Sequence, residues 1–292
     1  MCLLQKKPAT QQLQHNNMVL SGTLSAVLLC SLSLCLRGTE TVDVDQNALA
    51  RIISKLQKEY CPKQGDQFAV AINVPARYCS AGSNLDDGSF LKNDKPDAAK
   101  RDMNGVNKLY QGKELIGASR KSGNKKGFFH SEYLLLREPD PEHSPMKNLL
   151  NKNKDGCVIF YTYNSPCIGT CLYEEGDSNI LDALYIFTGH QGPKAFVYNR
   201  IFKRDRTNYD LKEYLKKINE VPLYRCYPVH KPDHSPMPGH SRDRDRSPQP
   251  GHSHDRDRSR SPLSRSSDSD PYECHACIRL GEVAEQCIDI NV

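Results

Sequence analysis

From Val42 to Tyr60 apolar residues fall at Leu49, Ile52, Ile53 and Leu56, one face of a helix, so the spacing predicts an amphipathic helix. "QFAVAINVP" (67–75) is rich in β-formers and stops at Pro75, which predicts a strand. The polar stretch after it, with Gly82, Gly88 and Pro96, reads as loop. "KELIGASR" (113–120) reads as a short strand, "GNKKG" (123–127) as a turn, and "HSEYLLLRE" (130–138) as the start of a helix. "CVIFYTY" (157–163) is a continuous apolar and aromatic run, the mark of a strand buried on both faces. "SNILDALYIF" (178–187) reads as a helix capped by Ser178, and "KAFVYNRIF" (194–202) as a strand. "NYDLKEYLKKINE" (208–220) puts Leu211, Tyr214, Leu215 and Ile218 on one helical side, and "PLYRCYPV" (222–229) is short and β-like. Helices alternating with strands in this way indicate a layered α/β domain over 40–229.

Both ends depart from that pattern. Residues 19–36, "VLSGTLSAVLLCSLSLCL", form the one strongly apolar run, preceded by Lys6 and Lys7 and followed by a turn-like "RGTE". Interspersed Ser and Thr make it read as a secretory signal within a leader of 1–39, with Met18 an alternative start. The competing reading is a single membrane anchor, since 18 residues sit near the lower limit for a span. No other segment is apolar enough to cross a membrane, so no stable membrane association is expected of the processed chain.

Residues 230–271 hold "PGHSRDRDRS" and "PGHSHDRDRS", an imperfect repeat with eight Lys/Arg, seven Asp/Glu and almost no apolar residue. Such a segment buries too little to offset its ordering entropy and is expected to be disordered. The near-cancelling charges make it a solvated spacer, although Arg-Ser and Arg-Asp runs also occur in RNA-associated tails. Residues 272–292 return to order signals, with Cys274, Cys277 and Cys287. The net charge of +5 is compatible with an anionic partner without demanding one.

One constellation carries chemistry. His130, Cys167 and Cys171 offer an imidazole and two thiolates, good zinc donors that leave a fourth tetrahedral position open. An open position separates catalytic from structural zinc, and zinc there supplies hydroxide near neutral pH. Glu132, two residues from the histidine, is free to move protons as general acid and base. Pro166 before Cys167 suits an early helical position, which predicts a second helix start facing the one at His130. The rival reading is that Cys167 and Cys171 form disulfide material in an exported chain.

His130-x-Glu132, an intervening strand, then Pro166-Cys167-x3-Cys171 resembles the zinc-dependent cytidine deaminase superfamily. "Ser165-Pro166-Cys167" is similar to the polynucleotide-editing branch, and the signal peptide adds a likeness to secreted AID/APOBEC-like deaminases. The resemblance covers roughly 43–229 and implies a three-layer fold with a mixed five-stranded sheet flanked by helices. It implies that His130, Cys167 and Cys171 hold Zn2+, that Glu132 shuttles protons, and that cytosine becomes uracil. It also implies substrate contacts by Asn124 and Ser165, and an immune role. The pattern departs from that branch in an insertion at 137–148, read as loop, and in Asn164, which stands where a tryptophan is usual.

Six further cysteines (Cys61, Cys79, Cys226, Cys274, Cys277, Cys287) allow three disulfides, with Cys157 a buried free thiol. Cys61 with Cys79, and Cys226 with the tail, are the expected pairings, and disulfides are preferred to a second metal site at "CHAC". Arg120, Lys121, Lys125 and Lys126, with Lys203, Arg204 and Arg206, either contact a phosphate backbone or form an ordinary solvated rim. Tyr161, Tyr163 and Tyr198 are candidates for stacking a base, with packing in the core or rim the equal alternative. The expected partner is single-stranded nucleic acid, with free cytidine nucleoside as the alternative. A second alternative is a non-catalytic secreted protein that keeps zinc for stability.

Overall fold

A computed structural model describes residues 43–123, 128–229 and 271–291. The chain divides into two units, residues 1–42 and 43–292. The first unit, with the leader, and the repeat at 230–270 lie outside the described residues, as do Asn124, Lys125 and Lys126.

The helix α1 (Gln46–Tyr60) begins at Asp45, whose carboxylate accepts from Ala48 N at 2.9 Å, and it buries Leu49, Ile52, Ile53 and Leu56. The strand β1 (Phe68–Val74) follows, then a 3-10 turn at Ala76–Cys79. Next come helix α2 (Pro96–Asn104), the strands β2 (Leu109–Gln111) and β3 (Leu115–Ser119), and the ribbon β4 (Lys121–Ser122) with β5 (Phe128–Phe129). Helices α3 (Ser131–Leu136) and α4 (Pro145–Lys152) lead into β6 (Cys157–Asn164). A 3-10 helix at Leu181–Phe187, the strand β7 (Lys194–Arg200), helix α5 (Leu211–Lys216) and β8 (Leu223–Pro228) complete the body. The tail supplies β9 (Tyr272–Ala276) and a small hairpin, β10 (Ile278–Arg279) with β11 (Glu282–Val283). Leu280 and Gly281 both have positive φ, as a two-residue primed turn requires.

The sheet is mixed and seven-stranded, in the order β2-β3-β1-β6-β7-β8-β9. β6, β7 and β8 run parallel, and the other neighbours are antiparallel. Strand alternation divides the core into two layers. Val158 and Phe160 of β6 face the layer of α3, α4 and α5, while Cys157, Ile159, Tyr161 and Tyr163 face that of α1 and α2. This is the three-layer architecture of a cytidine-deaminase-like fold.

The sheet has two strands more than the five expected. β2 is only three residues in a polar stretch, and β9 lies in the tail, 48 residues from the cysteine it pairs with. The stretch after β1 is not all loop, since α2 buries Ala99 and Met103 with Pro96 at its start. The insertion at 137–148 likewise runs into α4, capped by Ser144 Oγ accepting from Lys147 N at 3.2 Å. Leu181–Phe187 is a 3-10 helix that Ser178 does not cap, and α5 is shorter than 208–220.

Three disulfides join Cys79 to Cys157, Cys226 to Cys274, and Cys277 to Cys287. The expected Cys61–Cys79 pair is not formed, and Cys157 is not a free thiol. The turn ending at Cys79 sits over the start of β6, where alternation turns Cys157 toward the same layer, so these two meet and Cys61 keeps its thiol. Cys226 does tie the tail to the body, and Val229 N donates to Pro271 O at 2.7 Å beside it. The buried Arg225 reinforces the attachment: its Nη1 donates to the carbonyls of Gln286 at 2.9 Å and Asp289 at 2.6 Å.

Candidate metal centre and active site

β5 runs directly into His130, which caps α3 with extended backbone (φ −71°, ψ 153°), so Glu132 falls in the first helical turn. Leu134, Leu135 and Leu136 are buried against the sheet and anchor this short helix, and Glu132 is buried with them at 1% exposure. The thiols arrive from the end of β6. There Ser165 N donates to Arg200 O at 2.6 Å, and Ser165 Oγ accepts from Phe202 N at 3.0 Å. The loop after β6 is thereby stitched to the loop after β7. Ile168 N donates to Asp205 Oδ2 at 2.9 Å and fastens it a second time.

Cys167 does not open a helix, contrary to the expectation from Pro166. Residues 168–171 form a turn in which the Cys167 carbonyl accepts from Leu172 N at 3.0 Å and Cys171 O accepts from Ile180 N at 2.8 Å. This turn brings both sulfurs to the imidazole. His130 Nδ1 stands 3.2 Å from Cys171 Sγ and 3.7 Å from Cys167 Sγ, and the sulfurs are 3.8 Å apart.

These separations fit one ion. Zinc bonds of about 2.3 Å to sulfur and about 2.0–2.1 Å to nitrogen, at tetrahedral angles, put sulfurs about 3.8 Å apart and nitrogen about 3.5–3.6 Å from sulfur. The donor chemistry agrees. A hydrogen bond from Cys171, then one with His130, hold the Cys167 thiol far below its usual range. The same sulfur pairing, then burial, push the Cys171 thiol up. His130 is raised, chiefly by its bond to Cys167. Burial raises the Glu132 carboxyl, with nearby His130 as the leading opposing influence.

Glu132 stands in a polar network that its spacing from His130 did not reveal. Its Oε1 accepts from Thr162 Oγ1 at 2.8 Å and from Gln67 Nε2 at 2.9 Å, and its Oε2 from Ser131 Oγ at 3.1 Å. Thr162 could have been found by alternation, because it shares the face of Val158 and Phe160. Gln67 carries no such signal, since it precedes β1 as an ordinary polar residue.

The other expected contacts divide. Ser165 lies beside the metal ligands, but its hydroxyl is engaged by Phe202 N. Tyr163 points into the opposite layer, 6.1 Å from the Phe68 ring, and Tyr161 donates there to Gln57 Oε1 at 2.8 Å. Tyr198 is sealed under the tail, donating to Cys287 O at 2.6 Å. The structure therefore brings none of these tyrosines to the metal ligands. Phe128 is 51% exposed two residues before His130, with the Arg120 guanidinium 4.2 Å from its ring centroid.

The family described as Secreted Novel AID/APOBEC-like Deaminase 1 matches residues 46–237, a span that contains all three ligands and Glu132. The chain belongs to this family. No curated protein and no solved structure matches it. The family is a deaminase family by description, and His130, Cys167 and Cys171 are placed to hold the metal such enzymes use. The family is also described as secreted, which the three disulfides fit. No helix among the described residues is long and apolar enough to cross a membrane.

Proposed function

We propose that this secreted protein hydrolytically deaminates cytosine to uracil in single-stranded nucleic acid, with His130, Cys167 and Cys171 holding zinc. The carrying observation is the placement of a wholly buried carboxylate, Glu132, two residues from one member of a three-donor cluster of zinc-like dimensions. Zinc bound there supplies a Lewis-acid centre with an open position and hydroxide near neutral pH. Glu132 takes the proton that water loses and passes protons on, so that of the two water protons one ends on ring N3 and one leaves with the amine, ammonia departs and a carbonyl remains. Burial, which raises its carboxyl, favours holding that proton between the two transfers.

The polymeric substrate is supported by the surface around the cluster. Arg200, Lys203, Arg204 and Arg206 are exposed on the segment that Ser165 stitches to the ligand loop. Phe128 and Arg120, just before His130, offer a ring for a base and a cation for a phosphate. A single strand presents its base to a buried site without unpairing.

The test is to purify the secreted protein, measure zinc, and assay uracil formation in single-stranded DNA, single-stranded RNA and free cytidine, beside Glu132→Ala. One zinc per chain and salt-sensitive activity on a strand, lost in the variant, are expected. A salt-independent rate on cytidine alone would move the substrate to the nucleoside. Zinc without uracil from any substrate would reduce the site to a structural one.

A further inference from the structure

Every hydrogen-bonding position of the Gln67 side chain is committed. Its Nε2 donates to Glu132 Oε1 at 2.9 Å and to Thr162 Oγ1 at 2.8 Å, with Ser131 Oγ farther off at 3.4 Å. Its Oε1 accepts from the Asn164 backbone N–H at 3.0 Å and from Asn164 Nδ2 at 2.6 Å. A primary amide has two N–H donors and one oxygen with two lone pairs, so nothing is left over.

The orientation follows from chemistry as well as from coordinates. The Asn164 backbone N–H only donates, so the amide oxygen must face it and the NH2 must face Glu132. Glu132 Oε1 is then held by two side-chain donors, while Oε2 takes one, the Ser131 hydroxyl, and the carboxylate is also reached by its own backbone N–H. The two carboxylate oxygens are thus inequivalent. One is an anchor, and the other keeps lone pairs for work.

We infer that Gln67 is the positioning residue of the site: it anchors Glu132 through Oε1 and leaves Oε2 as the oxygen that exchanges protons. Asn164 completes the arrangement by locking the amide. The inference rests on Glu132 being the proton shuttle, and it adds which oxygen acts and what aims it. Gln67 touches neither the metal donors nor, in this role, the substrate. It acts through Glu132, and outer partners of this kind cost about 10–100-fold in activity when removed.

The experiment has one arm that needs no turnover. In 15N-labelled, zinc-loaded full-length protein, the Gln67 side-chain amide pair is assigned from its proximity to the Asn164 amide proton. Its loss in Gln67→Met confirms the assignment. Glu132→Gln exchanges the carboxylate acceptor for a neutral amide, and the Gln67 pair is expected to shift. A pair that stays in place overturns the inference, whether or not the protein turns over.

In the kinetic arm, Gln67→Met acts on a single-stranded cytosine oligonucleotide. It is expected to lower kcat about 10–100-fold, with KM within about twofold and zinc content retained, while the melting temperature falls by about 2–10 °C for the hydrogen bonds removed. A kcat within about twofold of the parent protein overturns it, as does a loss of activity that only parallels loss of zinc content. Asn164→Ala keeps the backbone donor and is expected to cost less than Gln67→Met. Absence of uracil from the parent protein would sink the deaminase reading by itself, and the amide shift would still decide whether Gln67 aims Glu132.

Discussion

Thr162 Oγ1 stands 2.8 Å from Glu132 Oε1, a sheet residue and a helix residue joined across the interface of two layers. Thr162→Val keeps the shape and removes the hydroxyl, leaving the buried carboxylate one donor short and Gln67 Nε2 with one acceptor fewer. Losing such partners costs about 1–3 kcal/mol. Uracil formation about tenfold slower with zinc retained is expected. Full activity in the valine variant would show that the hydroxyl does not orient Glu132.

Zinc binding and folding are expected to be coupled, because His130, Cys167 and Cys171 come from distant parts of the chain and meet only in the folded protein. With free zinc at about a hundred times its Kd, bound metal adds about 2.7 kcal/mol of stability. In a domain of this size that corresponds to about 5–10 °C in Tm. Chelation is expected to lower Tm by that amount, and Cys171→Ser to abolish both zinc content and the effect of the chelator. An unchanged melting curve after verified zinc removal would contradict the coupling.

The Cys226–Cys274 bond spans 48 residues, and loop-closure entropy gives it about 4 kcal/mol against the unfolded chain. Replacing both cysteines by serine is expected to lower stability by a comparable amount, read by denaturant titration. Non-reduced peptide mapping should recover Cys79 with Cys157 and Cys277 with Cys287. Among the cysteines of the described residues outside the cluster, Cys61 alone should alkylate without reduction.

Binding of a single strand should weaken as salt rises, by a slope of about 0.7 for each phosphate neutralised. Lys203 and Arg204 are both exposed next to the stitched loop. Replacing both with alanine should flatten the plot of log K against log salt by about 1.4. An unaltered slope would place the strand elsewhere on the surface.

His190 is 5% exposed, donates through Nε2 to Gly156 O at 2.7 Å, and its Nδ1 has no partner among the described residues. Burial lowers its pKa, so the fold favours the neutral ring. The unfolded chain protonates first as pH falls. Stability is therefore complete above the usual histidine range near 6.5, erodes as pH drops through it, and levels once the folded ring also protonates. His190→Gln should narrow the stability difference between pH 7.5 and pH 5.0. An equal difference in both proteins would exclude His190 as a contributor.

The central architecture was legible because its signals are local. β6 announces itself by an unbroken apolar run, α1 by its periodic leucine and isoleucines, and the donor set by residue type and order. What was missed depends on partners far away in sequence. "YECHA" holds few apolar residues and becomes β9 only through β8, while Cys157 gains a partner only once the turn at Cys79 lies above it. Gln67 is the sharpest case. Nothing near it in the chain marks it, since its partners are 64 to 97 positions away. The helix at Pro145 was legible in principle from Ser144 followed by proline, and was obscured by the surrounding charged and proline-rich residues.

The bond from Val229 N to Pro271 O gives the intervening stretch a single doorway on the body: it departs and re-enters at one place. Where two ends of a flexible loop meet, closure entropy grows slowly, about 0.6 kcal/mol for each doubling of length. A single proteolytic cut within the stretch would leave two pieces still covalently one molecule, with the sheet complete.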